Sequence, residues 1–98
     1  MMNFSAVISV IETVPAVKKA VLFGSRAMGT HSRYSDIDIA LFGEFDFLEV
    51  ERIKSELEEL PVIQKFDVVA YNEIKNSALR EHIDRVGQVI FQRQESVT

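Results

Sequence analysis

The apolar run Val21-Leu22-Phe23 breaks into Gly24-Ser25, and after an interval of ten residues Asp36-Ile37-Asp38 opens a second apolar run, Ile39 to Phe42. On a strand, side chains alternate between faces, so Asp36 and Asp38 point the same way and their carboxylates converge. A hard divalent cation such as magnesium favours that arrangement. A Gly-Ser turn opening a helix beside the strand turns free backbone N–H groups toward an anion. Phosphates facing carboxylate-held metal would make a nucleotide site.

The elements around these motifs read as an alternation of helices and strands. Phe4, Val7, Ile8, Ile11 and Val14 recur at helical steps and predict a first helix capped by Asn3 or Ser5 and ended by Pro15. Ala16 to Phe23 predicts a strand whose apolar end is buried on both faces, followed by a short helix over Arg26 to Gly29. Asp36 to Phe42 is the second strand, closed by Gly43. Leu48, Ile53, Leu57 and Leu60 predict the buried stripe of a helix that ends at Pro61 and turns Glu49, Glu51, Lys54, Glu56 and Glu58 to water. Phe66 to Tyr71 predicts a third strand with one acid, Asp67, set among apolar neighbours. Leu79, Ile83 and Val86 outline a last helix with Gly87 as a left-handed cap, and Val89-Ile90-Phe91 a fourth short strand. A helix between the second and third strands permits a crossover that places them in one sheet.

Length and composition bound the surroundings. The 98 residues suit a single domain, 1–98, with a polar tail over 92–98. With no cysteine there is neither a disulfide framework nor a thiolate metal site, and no apolar run is long enough to span a bilayer. No basic residue precedes the apolar positions of the first segment, so it does not resemble a secretory signal, and a cytoplasmic location is expected. A net charge of -4 argues against direct nucleic-acid binding, which needs clustered Lys and Arg, but leaves a nucleotide substrate open.

Two rival motifs fail at the residues their spacing requires. Gly24 and Gly29 are set as in a P-loop, but Thr30-His31 stands where Lys-Ser/Thr is required. A calcium loop beginning at Asp36 would need Gly and Glu where Leu41 and Phe47 stand. Singly, the glycine turn and the acids are ordinary features of strand ends. Together, like charges held close are costly unless a cation accompanies them.

Gly24-Ser25-Arg26-Ala27, the ten-residue interval, Ser35-Asp36-Ile37-Asp38-Ile39-Ala40-Leu41 and the later Phe66-Asp67-Val68-Val69 resemble a minimal nucleotidyltransferase of the DNA polymerase beta superfamily, from the first helix through Phe91. The resemblance implies an α/β fold, a small mixed β-sheet flanked by helices. It implies that Asp36 and Asp38 coordinate two magnesium ions, one with the nucleoside triphosphate and one at the attacking hydroxyl. Asp67 would bind the second ion and help activate that hydroxyl. Gly24, Ser25, Arg26 and Ser35 would line the nucleotide, with Gly24 allowing close backbone approach and Ser25 holding a phosphate. Met28 stands where many relatives carry a second basic residue. Arg33 is a further candidate for the triphosphate or a plain turn residue; His31 reads as a solvated loop residue, and Tyr34 and Tyr71 as base-pocket or packing residues.

The short form of the family is similar to the antitoxin of toxin–antitoxin pairs whose toxin is a HEPN-domain ribonuclease. That likeness implies transfer of AMP from ATP to a hydroxyl, a tyrosine by analogy, on the partner toxin. The alternative is an antitoxin that neutralises by contact, docking a basic nuclease through the acids between Glu44 and Glu59.

Overall fold

The computed structural model describes residues 4–94. Helix α1, Ser5–Glu12, buries Val7 and Ile11, and strand β1, Val17–Phe23, follows it. Phe4 occupies the N-cap position and makes no side-chain cap bond, so capping by Ser5 is not what starts the helix, and Asn3 lies outside the described residues. The helix stops before Pro15, where Thr13 Oγ1 donates to the Val10 carbonyl at 2.7 Å.

The remaining elements are α2, Ser25–Met28; β2, Ile37–Gly43; α3, Phe47–Glu58; β3, Phe66–Ala70; a 3-10 turn, Tyr71–Glu73; α4, Ser77–Val86; and β4, Gln88–Gln92. The sheet order is β3-β2-β1-β4. β1 runs antiparallel to β2 and β4, whereas β2 and β3 are parallel and joined by the α3 crossover. The Asp46 carboxylate accepts from the Glu49 N–H at 2.8 Å while the Glu49 carboxylate accepts from the Asp46 N–H at 3.0 Å, a reciprocal box that fixes where α3 starts.

Alternation along the strands divides the core between two faces. Ala20, Leu22, Ile37, Ile39, Leu41 and Val68 pack with Val7, Ile11, Ile53 and Leu57 of α1 and α3. Val21, Phe23 and Ala40 face the other way and pack with Ile83 of α4, with Val69, Phe42 and Leu79 around them. Each large apolar side chain so buried contributes about 1.5–3 kcal/mol relative to exposure.

Three local expectations are corrected. Leu48 is 73% exposed, because the cap at Asp46 places it in an overhanging first turn, and half-buried Val50 leads the stripe in its stead. Gly87 is extended at φ -62, ψ 144 instead of left-handed. A side chain there would collide with the Ile83 carbonyl and Val21 Cγ1, so glycine lets α4 end tight against β1. Of the residues expected as tail, Gln92 is a strand residue and Arg93 is anchored: its N–H donates to the Lys18 carbonyl at 2.8 Å, and its guanidinium donates to the carbonyls of Val17, Glu12 and Val14 at 3.0–3.2 Å. Residues 95–98 lie outside the described residues. Among the described residues, no helix is long and apolar enough to cross a membrane.

Candidate active site

Register brings the separated motifs to one end of the sheet. Phe23, the last residue of β1, pairs with Asp38, and Asp38 pairs across the parallel ladder with Asp67. The Ile37 N–H donates to the Lys65 carbonyl at 2.8 Å, which holds the entries to β2 and β3 level and puts the two acids side by side. Asp38 shares its face with Ala40, and Asp67 shares its face with Val69, so both lie on the α4 side of the sheet. Asp36 is exposed just ahead of β2.

The electrostatics follow from this crowding. The Asp38 carboxyl is pushed above its ordinary value by burial, then by the charges of Asp67 and Asp36 and a hydrogen bond with the Asp67 carboxyl; His82 acts in the opposite direction. Like charges disfavour each other's ionisation, and a bound cation would relieve the repulsion. Asp38 and Asp67 are thus brought together with Asp36 in electrostatic range. Among the described residues no three such side chains are already closed into a metal cage. An all-carboxylate donor set still fits an oxygen-seeking divalent cation such as magnesium.

Gly24 forms the opposite wall. It sits at φ 74, ψ -154, a region open essentially to glycine alone, and a side chain there would run into Asp38 Oδ2. The backbone turn therefore comes directly against the carboxylate. Ser25 begins α2, is half-buried, and its carbonyl accepts from the Thr30 N–H at 3.0 Å.

The remaining candidates shape the loop between α2 and β2. Arg26 Nη2 donates to the carbonyls of Ser35 at 3.1 Å and Arg33 at 3.4 Å, so its guanidinium is turned inward to brace the approach to Asp36. Among the described residues its buried Nε has no hydrogen-bond partner. Ser35 Oγ accepts from the Ser32 N–H at 2.9 Å and closes the loop on itself. Gln64 ties that loop to the segment before β3 by donating to the Arg33 carbonyl at 2.9 Å. Arg33 and His31 are exposed.

The two tyrosines separate. Tyr71 stacks on Phe42 at 4.2 Å and donates to the Asp84 carboxylate at 2.8 and 3.0 Å, which makes it a packing residue between sheet and α4. Tyr34 is 71% exposed in the loop. The sequence reading passed over His82. Its Nε2 accepts the Gly24 N–H at 3.1 Å from 58 positions away, and its ring meets Phe23 edge-on at 6.3 Å. The only linear signal was its position on α4 one residue before the core residue Ile83, which does not reveal the contact with Gly24.

A groove of about 430 Å³ lies farther along β3, between α3 and α4, bordered by Val50, Lys54, Val69, Ala70, Ile74 and Leu79. Asp36 and Asp67 face solvent. Along α3, Arg52 pairs with Glu56 at 3.7 Å and Lys54 with Glu51 at 4.0 Å, so part of the acidic face is neutralised in place.

Comparison with known proteins gives a consistent family. The profile described as polymerase beta, nucleotidyltransferase matches residues 5–96. A protein of Methanocaldococcus jannaschii named as a candidate protein adenylyltransferase is 42% identical over 74 residues, covering 69% of this chain and 78% of that one. Among solved structures, a toxin–antitoxin complex with AMP-PNP superposes with a TM-score of 0.78 at 24% identity, covering 95% of this chain and 76% of that one. A tri-AMPylated Shewanella oneidensis HEPN toxin in complex with its MNT antitoxin superposes with a TM-score of 0.58 at 19% identity, covering 89% of this chain and 67% of that one. At these identities the two complexes speak to the fold.

Proposed function

Because the chain belongs to the polymerase beta nucleotidyltransferase family, we propose that it transfers AMP from ATP to a tyrosine hydroxyl of a HEPN-domain toxin and acts in the cytoplasm as that toxin's antitoxin. The observation that carries this reading is the side-by-side placement of Asp38 and Asp67 against the Gly24 turn. A relative named for protein adenylylation and two toxin–antitoxin complexes of the same fold support the choice of substrate and partner.

In this reaction the acceptor oxygen attacks the α-phosphorus in line, the bond from that phosphorus to the β-phosphate oxygen breaks, and pyrophosphate leaves. Asp67, solvent-facing and beside Asp38, takes the hydroxyl proton as the new phosphorus–oxygen bond forms. Asp36, Asp38 and Asp67 would hold magnesium, which when bound would neutralise charge on the triphosphate and on the leaving group. Gly24 lets the phosphates approach the backbone closely, and Ser25 holds one of them. Arg26 and Ser35 act one step back, shaping the loop that delivers Asp36.

The openness of the acid end suits a macromolecular acceptor that supplies the missing wall. The paired charges along α3 leave less acidic surface for the alternative, neutralisation by docking alone. An Asp36→Ala, Asp38→Ala double variant separates the two. On the enzymatic reading it binds the toxin without protecting against it; protection equal to wild type would favour docking.

A further inference from the structure

We infer that His82 is a positioning residue of the reaction centre, holding the Gly24 turn at the distance from Asp38 that admits a nucleotide; this rests on the nucleotidyl-transfer reading above. Glycine at φ 74, ψ -154 has no side chain to fix its conformation, and its own preferences do not select one. Its carbonyl is held within the turn by the Met28 N–H at 3.1 Å, and its N–H is held from outside it. Asp38 bounds Gly24 on the side where a Cβ would project, and His82 Nε2 takes its N–H at 3.1 Å.

The histidine is itself well placed to impose that constraint. Ile83, its neighbour on α4, is buried against Val21 and Ala40, and the His82 ring packs edge-on against Phe23, the residue before the glycine. The turn is thereby tied to a helix docked on the sheet, although α4 begins more than fifty positions later in the chain. Because Nε2 accepts here, the ring carries no proton on that nitrogen. With its N–H directed to His82, Gly24 contributes close approach to the nucleotide and not a phosphate hydrogen bond.

Two substitutions separate positioning from packing. His82→Phe keeps an aromatic ring on Phe23 and removes the acceptor; His82→Gln supplies an amide oxygen that can accept in its place. Two readouts are taken on folded protein: hydrogen exchange of the Gly24 amide without nucleotide, and kcat/KM for ATP with magnesium and toxin. The expected result is faster Gly24 exchange and about a tenfold lower kcat/KM in His82→Phe, the scale of one lost hydrogen bond, with both restored to within about threefold of wild type in His82→Gln. Wild-type exchange and wild-type kcat/KM in His82→Phe overturn the inference, as does an equal loss in both variants. Should wild-type protein transfer no AMP, the activity reading fails, and Gly24 exchange in the two variants still decides whether His82 holds the turn.

Discussion

The Asp38 carboxylate lies so close to the Gly24 α-carbon that no side chain fits between them. A strand from the middle of the sheet and a turn from its neighbour are thereby pressed into one small space, and each residue constrains what can replace the other.

Gly24→Ala is expected to be destabilised by about 1–3 kcal/mol through its backbone conformation alone, with further loss from the collision with Asp38. AMP transfer should fall to background. Gly29→Ala is the control: Gly29 also has a positive φ, 76, but among the described residues nothing lies within 4 Å of the added methyl. It should lose about 1–2 kcal/mol and keep its activity. Urea denaturation and initial rates on both variants check the contrast.

Asp38→Asn should be more heat-stable than wild type at neutral pH in the presence of a chelator. Burial and the neighbouring acids raise the Asp38 pKa in the folded state, so the folded protein binds that proton more tightly than the unfolded chain does. Stability therefore falls as pH rises from the ordinary carboxylate value through the raised one. The asparagine variant lacks that fall. Thermal melts from pH 3 to 8, with roughly unit steps, should show the wild-type and variant curves diverging upward in pH, and added magnesium should raise the wild-type melting temperature more than the variant's.

Arg26→Ala should loosen the loop that leads into Asp36, because the Ser35 and Arg33 carbonyls lose their shared donor. The expected consequence is a KM for ATP raised roughly 3- to 10-fold, the scale of a single net hydrogen bond. Faster amide exchange at residues 32–36 in nucleotide-free protein distinguishes this bracing role from direct phosphate contact, which would leave the empty loop unchanged.

Arg93→Ala removes a guanidinium that donates to three carbonyls at the end of α1 and the start of β1. Stability should drop by about 1–3 kcal/mol, read from denaturant midpoints. Activity well below the melting temperature should be unchanged, because Arg93 binds the end of β1 opposite Gly24.

The order of elements was legible because apolar spacing and Pro and Gly punctuation are local signals, as in the strand that ends at Gly24 and the helix that ends before Pro61. Asp36, Asp38 and Asp67 stood out because acids at the head of apolar strands have few packing explanations. What was not legible depends on distant partners. Nothing local to Arg26 announces that its guanidinium donates to the Ser35 and Arg33 carbonyls. Gly87 follows a helix as a left-handed cap would, but it is extended, and part of what excludes a side chain there is Val21, more than sixty positions earlier. Arg93 sits in a polar stretch, and only the docking of β4 on β1 supplies its carbonyls. His82 is the clearest instance, since its link to Gly24 exists only once α4 lies on the sheet.

We propose Asp38 and Asp67 as the reaction centre of an adenylyl transfer. Its most direct measurement is label transfer from α-labelled ATP to the HEPN toxin in the presence of magnesium, comparing wild type with Asp38→Asn and Asp67→Asn, each confirmed as folded. Wild type should label a toxin tyrosine, and each variant should be slower by roughly a thousandfold, as loss of several kcal/mol of transition-state stabilisation requires. Wild-type rates in either variant, or no label from folded wild-type protein, would contradict it.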